Sequence, residues 1–277
     1  MHNFNKLLVV LNPTSDEQVA LNKAIRIAGK MDIQITALLL ANQVKGEFRT
    51  KLDQRLLQLK TQGIDVKLEI SEETDLLRAV LLCQHQHGFD LTLKEPHKAS
   101  LTDSLFTSVD WKLLRTNRTP VLMVRSVMRG PDAPILAAVE AQPSDQEHLR
   151  LSNLILEQSR TLADRLSRPL HLFSAAPAPM QDPAHTEQHT EQQTQAYREA
   201  CIALGDRYGI PAAQVHVGSG PAELLIADQA KALGAQLLVL GTVARTGLRG
   251  VLLGNTAEQV LERADVDVLV IPPTHEA

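Results

Sequence analysis

Residues 237–256 read LLVLGTVARTGLRGVLLGNT, an apolar run followed by a glycine-containing loop and the start of a helix. Four consecutive apolar residues predict a buried strand, and the residues after Gly254 begin a helical pattern. This order is typical of a parallel α/β sheet. In such a sheet, ligands collect at the carboxyl ends of the strands, which is where this loop begins.

The same strand pattern occurs twice in the chain. Residues 90–94 (DLTLK) align with residues 236–240 (QLLVL), and residues 120–124 (PVLMV) align with residues 266–270 (VDVLV) at the same spacing. Because the period is far too long for a solenoid repeat, it indicates that a whole domain has been duplicated.

The segment RGPDAP at 129–134 interrupts the pattern between the two copies. We therefore predict two tandem α/β domains, 1–130 and 131–277, each a five-stranded parallel sheet with helices on both faces. The predicted strands are 6–11, 33–40, 65–69, 90–93, 120–124, 135–139, 170–173, 214–217, 236–240 and 267–271. The predicted helices are 19–28, 51–60, 74–85, 109–117, 145–166, 187–208, 221–233 and 256–264.

The composition limits the classes of function. The 277 residues are 44% hydrophobic and only 3% aromatic, and the formal net charge is −4. So few rings and no dense basic run argue against binding of nucleic acid. No apolar stretch reaches the roughly 18 residues of a membrane span, and the N-terminus lacks a secretory pattern, so we expect a cytoplasmic protein without a membrane partner. With so few rings, we expect aliphatic walls and backbone hydrogen bonds to hold any bound base.

The loop and helix start within 237–256 carry the candidate chemistry. The amides of Gly254, Asn255 and Thr256 would point outward at a helix N-terminus, where the dipole favours a phosphate. Arg245 could clamp a phosphate together with its neighbour Arg249, or both could be exposed to solvent. In the alternative structural interpretation, the glycines shape the turn and the polar residues after them cap the helix.

Two five-stranded repeats, with VLGTVARTGLRGVLLGNTAEQVL (239–261) closing the second, resemble the universal stress protein family in its tandem form. The resemblance covers essentially the whole chain. It implies a fold like that of the adenine nucleotide alpha hydrolases and a role in the stress response. It also implies a site, because some members of the family bind ATP.

Those members use Gly, two residues, Gly, nine residues and then Gly-Ser or Gly-Thr around the phosphates, and often an Asp after the first strand at adenine. Gly241 and Gly254 match the first and third glycines, whereas Ala244 replaces the second. Asn255 stands at the hydroxyl position and Thr256 follows it. The resemblance thus points to Glu140 at the adenine position and to Gly241, Gly254, Asn255 and Thr256 in the second domain. With Thr242 and Arg245 from the same loop, these are the candidate ligand-binding residues.

The first half departs from this pattern. Glu95, Lys98, Ser108 and Val109 lie opposite Gly241, Ala244, Gly254 and Asn255, respectively, and Asn12 follows the first strand. A carboxylate therefore lies where the resemblance places phosphate. We predict that this domain does not bind ATP in the manner of the family and that its role is structural.

Catalysis and metal binding have less support. The sequence contains no nucleophile elbow, zinc-protease motif or P-loop, so we predict no enzymatic activity. His185 and His189 are one helical turn apart in a polar segment, which favours a solvated face. His171 and His216 fall on strands that are neighbours in the doubly wound order, so their rings could meet. We predict no metal site, although the residues leave open whether this last pair binds one.

The sequence thus predicts a stress-response protein with a pocket in its second domain for ATP or another phosphorylated small molecule. It would act by ligand-dependent interaction and not by catalysis. A ligand-free scaffold and a weak ATPase are the alternatives. By resemblance, the last strands, within 121–124 and 268–271, are expected to pair the two domains within the chain, and a homodimer is open.

Overall fold

A computed structural model describes residues 4–29, 33–44, 46–96, 106–125, 130, 132–143, 145–176, 187–242 and 253–273. The chain divides into two compact units, Met1–Ser126 and Val127–Ala277. The boundary predicted from the sequence pattern, after residue 130, lies four residues further on. No helix in the described part of the chain is long and apolar enough to cross a membrane.

The first unit holds five parallel strands in the order β3-β2-β1-β4-β5. They are β1 (Lys6–Val10), β2 (Gln34–Leu40), β3 (Val66–Ser71), β4 (Leu91–Lys94) and β5 (Val121–Met123). The α-helices described in this unit are α1 (Val19–Ala28), α2 (Gly46–Thr61), α3 (Leu76–His87) and α4 (Ser108–Thr116).

The second unit repeats the arrangement, with five parallel strands in the order β10-β9-β6-β7-β8. They are β6 (Ile135–Ala138), β7 (Leu170–Ala176), β8 (Val215–Ser219), β9 (Leu237–Gly241) and β10 (Asp267–Ile271). The α-helices described in this unit are α5 (Gln146–Leu166), α6 (Glu187–Arg207), α7 (Ala222–Ala232) and α8 (Asn255–Arg263). The predicted α/β class with parallel sheets is confirmed.

The strand order positions the site. In each unit, the chain runs outward from the first strand to the third and then returns to the other side of the first strand. The order therefore reverses between β1 and β4, and again between β6 and β9. A crevice forms at the carboxyl ends of the strands at such a switch point, because the two connecting loops diverge there.

Most element bounds agree with the sequence pattern, and α2 shows where the pattern is weak. This helix begins at Gly46, five residues before the predicted start at residue 51. Only Leu52 and Leu59 are buried along it, so its first turn carries no apolar stripe that a reading of periodicity could find.

Candidate functional site

A cavity of about 520 Å³ lies at the carboxyl ends of β6 and β9 in the second unit. Its volume is within the roughly 300–1,000 Å³ typical of small-molecule sites. The apolar walls include Leu151, Ile155, Phe173, Ile226 and Val260, and the polar lining includes Glu140, Gln142, His148, Ser152, Tyr197, Asn255 and Thr256. An apolar cavity with a few polar groups is the usual form of a ligand site.

Five of the predicted site residues line this cavity. Glu140 follows β6, Gly241 ends β9, and Gly254, Asn255 and Thr256 form the start of α8. Residues more than 100 positions apart in the sequence thus meet around one space, because the carboxyl ends of parallel strands share one edge of the sheet.

Of the remaining two predicted residues, Thr242 does not line the cavity. Thr242 is fully buried, and its amide and hydroxyl both donate to the Ile271 carbonyl, at 2.9 Å and 3.4 Å. Its predicted role as a ligand donor is therefore corrected: its hydrogen-bonding groups hold β9 to β10. Arg245 lies outside the described residues, as do Ala244 and Arg249.

Gly241 is required by packing within the protein. A Cβ built at this position would lie 2.6 Å from Cδ2 and 2.7 Å from Cγ of Leu151 on α5. These separations are far shorter than ordinary van der Waals contact, and Leu151 is itself buried. The glycine therefore lets α5 lie close against the end of β9, whatever else it does for a ligand.

Gly241→Ala should lower the free energy of unfolding by about 1–3 kcal/mol, because the added methyl group overpacks the contact with Leu151. Leu151→Ala removes the side chain that the added methyl group meets. The loss of unfolding free energy in the double variant should therefore be smaller than the sum of the losses in the two single variants. Denaturant titration of the four proteins measures this coupling. Gly46→Ala, where a Cβ meets open space, is the control and should be nearly neutral; additive effects at 241 and 151 would contradict the packing argument.

Gly254 has no such packing requirement. Its φ of −69° and ψ of 151° are open to any residue, and a Cβ there would meet no described atom within 4 Å. As the N-cap of α8, it offers no side chain to the helix, and the first intrahelical bond runs from the Glu258 amide to its carbonyl. The amides of Asn255, Thr256 and Ala257 come before that bond and are the donors that a helix N-terminus leaves for an anion.

Sequence reasoning missed the polar network behind the cavity. The Ser174 hydroxyl donates to the Val139 carbonyl at 2.7 Å and accepts from the Ala141 amide at 3.1 Å. It also lies 2.8 Å from the Tyr197 hydroxyl on α6, and burial raises the pKa of this tyrosine. The network ties the end of β6 to β7 and α6. No periodicity in the polar sequence of α6 identifies Tyr197 in advance.

A second group missed by sequence reasoning is the pair of Asp145 and His148 at the start of α5. One carboxylate oxygen of Asp145 accepts from the His148 amide at 2.9 Å, and the other lies 2.6 Å from Nδ1 of its ring. Both hydrogen bonds lower the pKa of the Asp145 carboxyl, and the bond from the backbone amide has the larger effect. His148 lines the cavity, so the pair places a fixed imidazole there.

The equivalent place in the first unit is occupied by the chain itself. Nζ of Lys94, at the end of β4, lies 2.6 Å from Oδ1 of Asp110, in the first turn of α4. Oδ2 of Asp110 accepts from the Thr107 amide at 2.8 Å, and the Thr107 hydroxyl accepts from the Asp110 amide at 3.4 Å. In this capping box, side chains accept hydrogen bonds from backbone amides at the start of α4. The start of α8 has no such side-chain acceptor in the described structure.

The strand end in the first unit is tied down in a similar way. Nδ2 of Asn12 donates to the Glu95 carboxylate at 3.2 Å, and the backbone amide of Asn12 donates to the side-chain oxygen of Gln18 at 3.1 Å. Asn12 holds the position that the resemblance assigns to adenine, and Glu95 lies opposite Gly241. These contacts favour the predicted loss of the ligand site in the first domain, although Lys98 lies outside the described residues.

His171 on β7 and His216 on β8 do meet. Nδ1 of His171 lies 2.9 Å from Nε2 of His216, and the ring planes differ by 12°. The ring centres are 5.2 Å apart. This equals the N···N distance plus the distance from each ring centre to its nitrogen, so the rings lie edge to edge and are joined by a hydrogen bond. No group of three or more His, Cys, Asp or Glu able to hold a metal occurs among the described residues. His185 and the side chain of His189 are outside them.

Acid should weaken the second unit through this pair. Burial lowers the pKa of both rings. The His216 ring lowers the pKa of His171 further, and the charge of Arg198 lowers the pKa of His216 further. As the pH falls below the ordinary imidazole pKa of about 6.5, the unfolded chain therefore takes up protons before the folded one, so stability is lost. Melting temperatures from pH 8 to pH 5 should fall less for His216→Gln than for the wild type. The exposed His85→Gln should keep the wild-type slope; equal slopes in all three proteins would contradict the prediction.

A unit of this kind, with a cavity at the switch point of its sheet, belongs to the class of doubly wound α/β domains. Within that class, the Universal stress protein family model matches residues 134–272. The chain belongs to the universal stress protein family and has a role in the stress response.

The similarity extends over both units. The chain is 30% identical to a universal stress protein E homolog of Haemophilus influenzae, over 98% of each chain. It is 29% identical to universal stress protein E of Escherichia coli K12, over 98% of this chain and 94% of that one. A functionally unknown protein from Pseudomonas aeruginosa PAO1 has a similar structure, with a TM-score of 0.84 and 34% identity over 98% of this chain and 94% of that one.

Proposed function

We propose that the cavity in the second unit binds ATP or another phosphorylated small molecule, and that the protein acts in the stress response through interactions that this ligand controls. The observation that carries the proposal is the start of α8. A helix N-terminus without a side-chain cap in the described structure faces a cavity of about 520 Å³ at the switch point. Backbone amides and the helix dipole suit a phosphate at such a place.

The walls suit the rest of such a ligand. Apolar side chains cover much of the cavity, and Phe173 and Tyr197 add aromatic surface. The expectation of purely aliphatic walls is therefore corrected, because two of the few aromatic residues of the chain lie at this one place. Glu140, after β6, provides a carboxylate that can accept hydrogen bonds from a base or a sugar.

The first unit supports a division of labour. Its equivalent position holds the buried Lys94–Asp110 pair, so we assign it a structural role and assign ligand binding to the second unit. We also propose that the protein is not an enzyme and that it works in the cytoplasm. Association of two chains stays a prediction, which light scattering of the purified protein would test.

Mass spectrometry of material released from the purified full chain tests the proposal, together with melting curves in ATP, ADP and inorganic phosphate. A co-purified phosphorylated compound, or a melting temperature that rises with nucleotide concentration, is the expected result. An empty cavity and no shift would overturn the proposal in favour of a ligand-free scaffold. Phosphate release above background that disappears in Gly254→Val would overturn its non-catalytic part.

A further inference from the structure

The side chain of His148 is fixed in position at the edge of the cavity. It lies in the first turn of α5, where the carboxylate of Asp145 contacts both its backbone amide, at 2.9 Å, and Nδ1 of its ring, at 2.6 Å. The carboxylate that caps the helix therefore also fixes the orientation of the ring. Few rotamers satisfy both bonds, so the imidazole is held in place before any ligand arrives.

The hydrogen bond to Asp145 also decides which ring nitrogen faces a ligand. An ionised carboxylate only accepts hydrogen bonds, so Nδ1 carries a proton and donates it. Nε2 is then the nitrogen left for the cavity, and it carries a second proton when the ring is charged.

The charges around the ring make it distinctive. Among the described residues that line the cavity, His148 is the one side chain that can take a positive charge near neutral pH. The other titratable groups in that lining are Glu140, after β6, and Tyr197, on α6. Asn255 and Thr256 at the start of α8 are uncharged, so within the described lining an anionic ligand finds a cationic side chain at α5.

We propose that His148, charged and held by Asp145, binds the anionic group of the ligand and makes its affinity depend on pH. The inference rests on the proposed function and adds a specificity-determining residue to it. Affinity for a phosphorylated compound is highest where the imidazole is charged and falls as the pH rises and the ring loses its proton. The protein then retains its ligand more strongly when its surroundings become acidic.

The test measures the dissociation constant of ATP, used as the probe, from pH 5.5 to pH 8.5 for the full-length wild type, His148→Gln and Asp145→Asn. The ratio of the His148→Gln value to the wild-type value removes the titration of ATP itself and of other groups common to both proteins. We expect this ratio to be about tenfold or more at pH 6 and to approach one at pH 8.5. Asp145→Asn keeps a good N-cap but takes away the carboxylate that holds the ring through Nδ1, so we expect it to weaken ATP binding.

The possible outcomes separate the two proposals. If the wild type binds ATP and the ratio stays near one at every pH, the role of His148 is wrong and the proposed function stands. If the ratio is large but constant with pH, the ring only shapes the cavity, and the charge argument is overturned. If the wild type binds no ATP at any pH, this inference fails together with a nucleotide as the ligand. A melting curve of each variant without ATP shows whether the variant is folded.

Discussion

Asp110→Ala should lower the free energy of unfolding by about 3–5 kcal/mol, among the largest effects of any single change in the chain. The side chains of Lys94 and Asp110 are only 1% and 0% exposed, and their charged atoms are 2.6 Å apart. Removing the carboxylate takes the charge of Asp110 away from the buried ammonium group of Lys94. It also removes the acceptor of the Thr107 amide, so the start of α4 loses half of its capping box.

Denaturant unfolding measures this effect, and two sets of variants control it. Lys94→Met combined with Asp110→Leu removes both charges, so the double variant should be much more stable than either single variant. Arg49 and Asp53 form an exposed pair at 2.8 Å on α2, and Arg49→Ala should cost at most about 1 kcal/mol. If Asp110→Ala costs no more than Arg49→Ala, the buried pair has no special role in the first unit.

The Lys94–Asp110 pair gives a physical account of how the two units differ. In both, a helix begins beside the strand end at the switch point, and its first amides need acceptors. The first unit supplies an internal carboxylate, neutralised by the ammonium group of Lys94. The second unit has Leu240 and Thr256 at the aligned positions and no side-chain cap at the described start of α8. A helix start of this kind can accept an anion from outside the chain.

The fold could be predicted from the sequence because its signals are local. Short apolar runs, such as the one that becomes β9, alternate with amphipathic segments, and the repeat at a constant spacing shows two copies. Part of the site could be predicted for the same reason, since glycine and a polar cap before a helical pattern mark a helix N-terminus. Gly254 and the helical pattern after it indicate the start of α8, although no side chain caps this helix in the described structure.

The remaining site residues depend on tertiary contacts that no local pattern records. Tyr197 and His148 reach the cavity from two different helices, and their spacing along the chain carries no sign of it. Thr242 follows the motif glycine directly, yet the turn of the backbone directs its hydroxyl to Ile271. The packing of Leu151 against Gly241 is likewise visible only once α5 lies on the sheet.

Gly254→Asp should weaken ATP binding about a hundredfold or more while leaving the second unit as stable as before. An Asp at an N-cap accepts hydrogen bonds from the first amides of a helix, so it should stabilise α8 by a few tenths of a kcal/mol relative to glycine. The same carboxylate occupies the donors that we assign to phosphate and repels its charge, and juxtaposed like charges cost several kcal/mol. The added side chain has room, because a Cβ at Gly254 meets no described atom within 4 Å.

Gly254→Asn is the matched control, because its side chain has the same shape and caps a helix equally well but carries no charge. Titration calorimetry with ATP and thermal melting of the three proteins separate affinity from stability. If the start of α8 holds the phosphate, the Asn variant should bind more weakly than the wild type but clearly more tightly than the Asp variant. Equal affinities of the two variants would mean that the ligand's charge lies elsewhere in the cavity, and the assignment of phosphate to α8 would have to be given up. A lower melting temperature of the Asp variant would instead mean that a carboxylate at this position does not cap α8, and would contradict the argument that it occupies the first amides of the helix.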